Sequence, residues 1–144
     1  LSLDELIRSV IASCKTVAIV GLSKDPGKDS YQVAEYLKSK GYCIVPVNPT
    51  ATEILGERCY KSLGDIPEQI GRQIEVVDIF RPSQDVPSIV QQAIELKQKQ
   101  GKLRAIWMQL GIVNEDAAKE ARAASLDVVM DRCMKIEHKK LHKP

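Results

Sequence analysis

No apolar stretch of this chain approaches the length of a membrane-crossing helix, and no signal-peptide pattern opens it. These absences argue for a cytoplasmic protein with no membrane partner. An excess of one charge is missing too. Against 21 basic residues stand 19 acidic ones, a net charge of +2, too balanced and too dispersed for a nucleic-acid surface. The cysteines Cys14, Cys43, Cys59 and Cys133 form no C-x-x-C pair, and the only histidines, His138 and His142, lie near the C-terminal end. A structural zinc site is therefore not expected, and free thiols are. Catalytic signatures are as scarce. Gly21-Leu22-Ser23 runs on into Lys24-Asp25 rather than closing a G-x-S-x-G elbow, and there is no Walker lysine motif and no clear pair of acids. No catalytic constellation is visible, so a binding role is expected rather than an enzyme. Internal repeats and interdomain linkers are absent as well, and 144 residues are most simply one domain, residues 1–144, with a basic tail over 134–144.

What is present is an alternation of strand and helix patterns. Ser2 with Glu5 marks a helix start, and apolar residues at helical spacing run from Leu3 to Ile11. Short apolar runs at 16–20, 42–47, 74–80, 104–108 and 127–130 read as strands. Helical patterns intervene at about 30–40, 86–100 and 114–125, with Ser83 or Asp85 as the cap of the second and Asn114 of the third. Such alternation predicts an α/β fold, a Rossmann-like doubly wound parallel sheet of about five strands with helices on both faces, most simply in the order 3-2-1-4-5.

The stretch TVAIVGLSKDPGKDS, Thr16 to Ser30, organises the whole. A buried strand, a glycine and a helix start form the phosphate-binding unit of such folds, where a tight turn and the helix N-terminus attract an anion. The dinucleotide fingerprint asks for three glycines. Here Gly21, Ser23 and Pro26 occupy those places, with Lys24 and Lys28 adding positive charge. The second strand ends in Asn48-Pro49-Thr50, where an NAD site usually carries an acid for the ribose hydroxyl. Both departures argue against NAD and leave room for a phosphorylated adenosine.

Ligands of doubly wound sheets bind beyond the carboxyl ends of the strands. The five ends deliver Gly21, Ser23, Lys24 and Lys28; Asn48 and Pro49; Phe80 and Arg81; Trp107, Gln109 and Gly111; and Asp131, Arg132 and Cys133. Phe80 and Trp107, taken singly, read as core aromatics. Asn48-Pro49 reads as a turn. The convergence of basic, amide and aromatic groups on one edge suits an elongated phosphorylated ligand containing adenine. Cys133 is the one candidate nucleophile there, and Arg132 beside it would lower its pKa if the two met. The alternative reading keeps the fold for an NAD(P)-binding oxidoreductase or redox sensor.

The segments VAIVGLSKDPGKDSY (17–31), GYCIVPVNP (41–49), ILGERCYKSLGDIP (54–67), VVDIFRP (76–82), IWMQLGI (106–112) and VVMDRCM (128–134) carry a resemblance. In this order and spacing the chain resembles the small stand-alone proteins of the CoA-binding domain family. These are similar to the nucleotide-binding domain of the succinyl-CoA synthetase α subunit. The resemblance implies a domain that binds coenzyme A or an acyl-CoA. Carried onto this chain, it puts the pyrophosphate on the loop from Gly21 to Ser30. Asn48 and Pro49 fall on the adenosine side, with Phe80 and Arg81 by the adenine and its phosphates. Trp107, Gln109, Gly111, Arg132 and Cys133 border the pantetheine. The family often has a lysine after Asn-Pro. Thr50 replaces it, so contact to the ribose 3′-phosphate is weaker or falls to Lys24, Lys28 or Arg81. The synthetase keeps its phosphorylated histidine in a second domain, so the resemblance implies binding without ligase chemistry. It names no protein partner, and apolar residues on the first helix or a sheet edge leave a homodimer open.

Overall fold

The computed structural model describes residues 1–143. In chain order, Leu3–Ser13 forms α1, Thr16–Val20 β1, Asp29–Ser39 α2 and Cys43–Val47 β2. A hairpin of β3 (Glu53–Ile54) and β4 (Glu57–Arg58) follows, then a 3-10 turn at Leu63–Asp65 and the short α3 (Glu68–Gly71). Next come β5 (Val76–Ile79), α4 (Val86–Gln98), β6 (Ala105–Met108), α5 (Glu115–Ala123), β7 (Asp127–Val129) and α6 (Met134–Leu141).

Local chemistry sets the ends of these elements. Ser2 caps α1 through a reciprocal box: its hydroxyl accepts from the Glu5 N–H at 3.1 Å and the Glu5 carboxylate accepts from the Ser2 N–H at 3.3 Å. Asn114 caps α5 by accepting from the Ala117 N–H at 2.9 Å. The start of α4 differs from expectation, because neither Ser83 nor Asp85 caps it with a side chain. Pro87 fits its first turn without needing an N–H. The Ser83 hydroxyl instead accepts from the Val113 N–H at 3.1 Å, tying the loops after β5 and β6 together.

Five strands form one parallel sheet in the order β2-β1-β5-β6-β7. The α/β, doubly wound, Rossmann-like architecture is as the sequence implies. The position of β5 is not: the order 3-2-1-4-5 would put it outside β2, whereas it pairs with β1, aligning Val17 with Val76 and Val20 with Ile79. Pro46 supplies the physical reason. Residues of β2 point alternately to the two sides, and the Pro46 carbonyl, which accepts from the Tyr60 N–H at 3.0 Å, faces away from β1. Its missing N–H faces the same way, so a full strand on that side would lack a ladder bond and β2 belongs at an edge. The chain around Tyr60 makes only a short bridge there, with the Asn48 N–H donating to the Tyr60 carbonyl at 2.9 Å.

The sheet separates two apolar layers. On one face α1, α2 and α6 pack Ile7, Ile11, Val33, Leu37 and Met134 over Ile19 and Trp107. On the other, α4 and α5 pack Val86, Val90, Ala117 and Ala121 over Val77 and Ile106, joined by Leu63 and Ile66 from the long connection after β2. The strands lie between these layers, which is why they read as unbroken apolar runs. Residues 134–144, expected as a basic tail, include a helix: α6 buries Met134, Glu137 and His138 against α1 and α2. Pro144 lies outside the described residues. The four cysteines are free thiols, Cys43 exposed and the others buried. No helix among the described residues is long and apolar enough to cross a membrane.

Candidate functional site

β2 leads away from β1 on one side and β5 adjoins it on the other, so the sheet switches direction between β1 and β5. Three strand ends are tied there. The Gly21 N–H donates to the Val47 carbonyl at 2.9 Å, and the Phe80 N–H donates to the Val20 carbonyl at 2.8 Å. Gly21 has φ +86°, and a Cβ on it would lie 2.7 Å from the Phe80 carbonyl oxygen. Both the conformation and the close approach require glycine.

Two cavities open at this edge, one on each side of the Gly21–Phe80 contact. The first, about 450 Å³, lies between the ends of β1 and β2 and the start of α4. Its walls include Gly21, Pro49, Lys61, Ser62, Arg81 and Gln92. The second, about 370 Å³, lies between α2 and α6, with Val33, Phe80, Gln109, Leu110, Cys133 and Ile136 in its walls. Neighbours in sequence at the end of β5, Phe80 and Arg81, thus serve opposite cavities.

The first cavity has apolar walls from Val20, Val47, Leu63 and Ile89 and a net positive lining, with Lys61 and Arg81 against Asp85. Arg81 pairs with Asp85 at 2.9 Å, but both side chains are half exposed. Such a pair is worth little, and the guanidinium can exchange it for a phosphate. Lys61 enters none of the ion pairs among the described residues. Hydroxyls of Ser62 and Ser88 and amides of Gln84 and Gln92 complete the polar lining.

The second cavity is apolar at its walls and uncharged at its floor. Burial pushes the Cys133 thiol above its ordinary pKa, with the nearby N–H groups of Lys135 and Ile136 pulling only partly back. Arg132 does not provide the expected activation: its guanidinium donates to the Asp131 carbonyl at 3.0 Å. The Gln109 side-chain oxygen accepts from the Met134 N–H at 3.1 Å and anchors the start of α6. Asp78 of β5 is fully buried, and neither carboxyl oxygen has a hydrogen-bond partner. Burial drives its pKa well above the usual aspartate range, opposed by the Ile79 backbone, because an unpartnered carboxylate is costly away from water.

Of the sequence-predicted residues, Gly21, Pro49 and Arg81 meet in the first cavity and Phe80, Gln109 and Cys133 in the second. Others brace the frame. Ser30 accepts from the Ser23 N–H at 3.0 Å, and the Ser23 hydroxyl accepts from the Asp25 N–H at 3.0 Å. Asn48 donates to the Leu22 carbonyl at 2.9 Å and accepts from the Thr50 and Ala51 N–H groups. Trp107 is fully buried and lines neither cavity, and its ring N–H donates to the Arg132 carbonyl at 2.8 Å. The Gly111 N–H donates to Asp131 at 2.7 Å. Lys24 and Lys28 are exposed and line neither cavity. Sequence reasoning missed Lys61 and Ser62, hidden in a stretch read as connection, and Ile136, in the supposed tail. It also missed Asp78, whose signal was a lone acid within an apolar strand. No group of three or more metal-ligating side chains occurs among the described residues.

A parallel sheet with a required glycine at its switch point, opening on a cationic cavity, defines a Rossmann-like protein. The chain belongs to the CoA binding domain family, whose model matches residues 15–139. It is 33% identical over 132 residues to the uncharacterized protein YneT of Bacillus subtilis, covering 92% of this chain and 91% of that one. It also resembles a solved structure, a hypothetical protein from Pyrococcus horikoshii OT3. There the TM-score is 0.88 and identity 38%, over 99% of this chain and 94% of that one. A third likeness is to acetate–CoA ligase [ADP-forming] II of Archaeoglobus fulgidus, 37% identical over 78 residues. That match covers 53% of this chain but only 11% of the ligase.

Proposed function

We propose that this protein binds coenzyme A or an acyl-CoA at the carboxyl edge of its sheet and performs no chemistry on it unaided. The observation that carries this reading is membership of the CoA binding domain family over residues 15–139, a span that contains both cavities. The local chemistry supports it. A nucleotide bearing several phosphates fits the cationic first cavity, with Lys61 and Arg81 as its counter-charges. Gly21 gives the ligand bare backbone to cross, and the second cavity accepts the thiol end. Burial raises the pKa of both Cys133 and Asp78, which suits a receptor better than a nucleophile and base.

Titration calorimetry with CoA, acetyl-CoA, NAD and NADP tests the reading. Saturable heat with CoA and none with the dinucleotides is expected. Tight NADP binding with no response to CoA would overturn it in favour of a nicotinamide-dependent role.

A further inference from the structure

Among the described residues six large apolar side chains are exposed, and two of them, Leu110 at 58% and Ile136 at 43%, line the second cavity. Ile112 joins them in its wall. The cavity continues this apolar surface inward through Val33 and Phe80 to a floor without charge, where the buried Cys133 thiol lies. Contiguous exposed apolar groups around a recess mark a binding surface. Two charged residues stand at the rim. Asp29 is one. Lys135 is the other, with its ammonium 5.7 Å from the centroid of the Tyr36 ring.

We propose that the second cavity receives the acyl group of a thioester ligand and selects uncharged aliphatic chains of several carbons over a free thiol, an acetyl group or a carboxylate-ended chain. This rests on the coenzyme A reading above and specifies the ligand of that site. Phosphates held by Lys61 and Arg81 leave the other end of the ligand to cross Gly21 and enter beside Phe80. The thiol of an unacylated ligand ends at the cavity mouth and leaves Leu110 and Ile136 wet. An aliphatic chain covers them, and each methylene buried adds roughly fourfold in affinity. A terminal carboxylate would lose its water against Ile112 and Leu110, a cost that the opposed charges of Asp29 and Lys135 at the rim leave standing.

Calorimetric titration of the full chain with CoA, acetyl-, butyryl-, hexanoyl- and succinyl-CoA tests this. Affinity is expected to climb from acetyl to hexanoyl by about sixteenfold per two buried carbons, with succinyl-CoA no tighter than acetyl-CoA. Leu110→Asp and Ile136→Asp alter exposed positions, so circular dichroism should show them folded. In each, the ratio of hexanoyl-CoA to CoA affinity should fall towards one. If CoA binds and the series is flat, the acyl proposal fails while the coenzyme A reading stands. The acyl proposal fails in the same way if sedimentation shows a dimer that Leu110→Asp dissociates and the series stays flat. If neither CoA nor any thioester binds, both readings fail together.

Discussion

Asp78 sits on β5 among aliphatic residues, sealed from water, with no hydrogen-bond partner for either oxygen. Its proton is a folding reagent. The unfolded chain releases that proton above about pH 4, whereas the native chain keeps it to a much higher pH because burial raises the folded value. The native state therefore binds more protons across that window. The contribution of Asp78 to stability is complete below about pH 4 and is lost as pH rises towards its folded pKa. Asp78→Asn cannot titrate. Urea unfolding at pH 5 and pH 8 should show the variant gaining on the native chain as pH rises, by up to about 1.4 kcal/mol per unit. Parallel profiles would mean that Asp78 is ionised or hydrated in the native state. Gly21 carries a different constraint. Gly21→Ala sets a methyl 2.7 Å from the Phe80 carbonyl at φ +86°. The expected cost is about 2 kcal/mol or more, together with weakened CoA affinity because the turn between the cavities must move. A shift in urea midpoint below a few tenths molar would show that the turn relaxes freely.

Element identities were legible where one physical signal acted alone. The apolar runs of β1, β5 and β6 had no competing periodicity, and Ser2 and Asn114 announced the helices they cap. The strand order was harder because its signal is a missing donor: Pro46 has no N–H to offer on the outer side of β2, where the segment around Tyr60 lies instead of β5. The helix α6 was masked by composition, since its charged residues and His138 outnumber its apolar ones and only Met134, Glu137 and His138 are buried. What secures it is tertiary. The Tyr36 hydroxyl and His138 Nδ1 lie 2.7 Å apart, and the His138 ring packs edge-on against Tyr36 and Tyr42. Burial, then the positive charge of His142, Lys15 and Lys40, holds the His138 pKa below its ordinary value. Lys135 and Lys139 approach the same Tyr36 ring, and Glu137 is engaged with Lys140. A depressed histidine binds fewer protons when folded. Its share of stability is present above about pH 6.5 and is lost as pH falls. Amide exchange in α6 should therefore quicken between pH 7 and pH 5, after correction for intrinsic exchange rates. His138→Phe keeps the edge-on ring and should remove that pH dependence, at the cost of the Tyr36 bond, about 1 kcal/mol. Unchanged pH dependence in the variant would assign the effect to another group.

At the scale of the molecule, the sheet edge offers two environments that the proposed ligand would span. The cavity beneath α4 offers Lys61, Arg81, hydroxyls and amides, whereas the cavity beneath α6 offers aliphatic walls; Gly21 lines the first, and Phe80, whose carbonyl it approaches, lines the second. Much of the candidate site was legible as an edge, because each strand end is named by its place in the sequence. Its division was not legible, because Phe80 and Arg81 are adjacent in sequence and only the folded sheet sends them to opposite sides. The division predicts how the ligand can be cut. Adenosine 3′,5′-bisphosphate should bind the first cavity and compete with CoA. Pantetheine should bind weakly at the second and leave the bisphosphate affinity nearly unchanged. Intact CoA should bind more tightly than either piece, since one tether places both ends at high effective concentration. Lys61→Ala removes an exposed cation and should spare the fold, yet weaken CoA and the bisphosphate about tenfold, in line with a charge-assisted contact of about 1.4 kcal/mol. Pantetheine affinity should not change. Competition between pantetheine and the bisphosphate would place both fragments in one cavity. An unchanged CoA affinity in Lys61→Ala would move the phosphates away from the first cavity, towards the exposed Lys24 and Lys28 of the loop after β1.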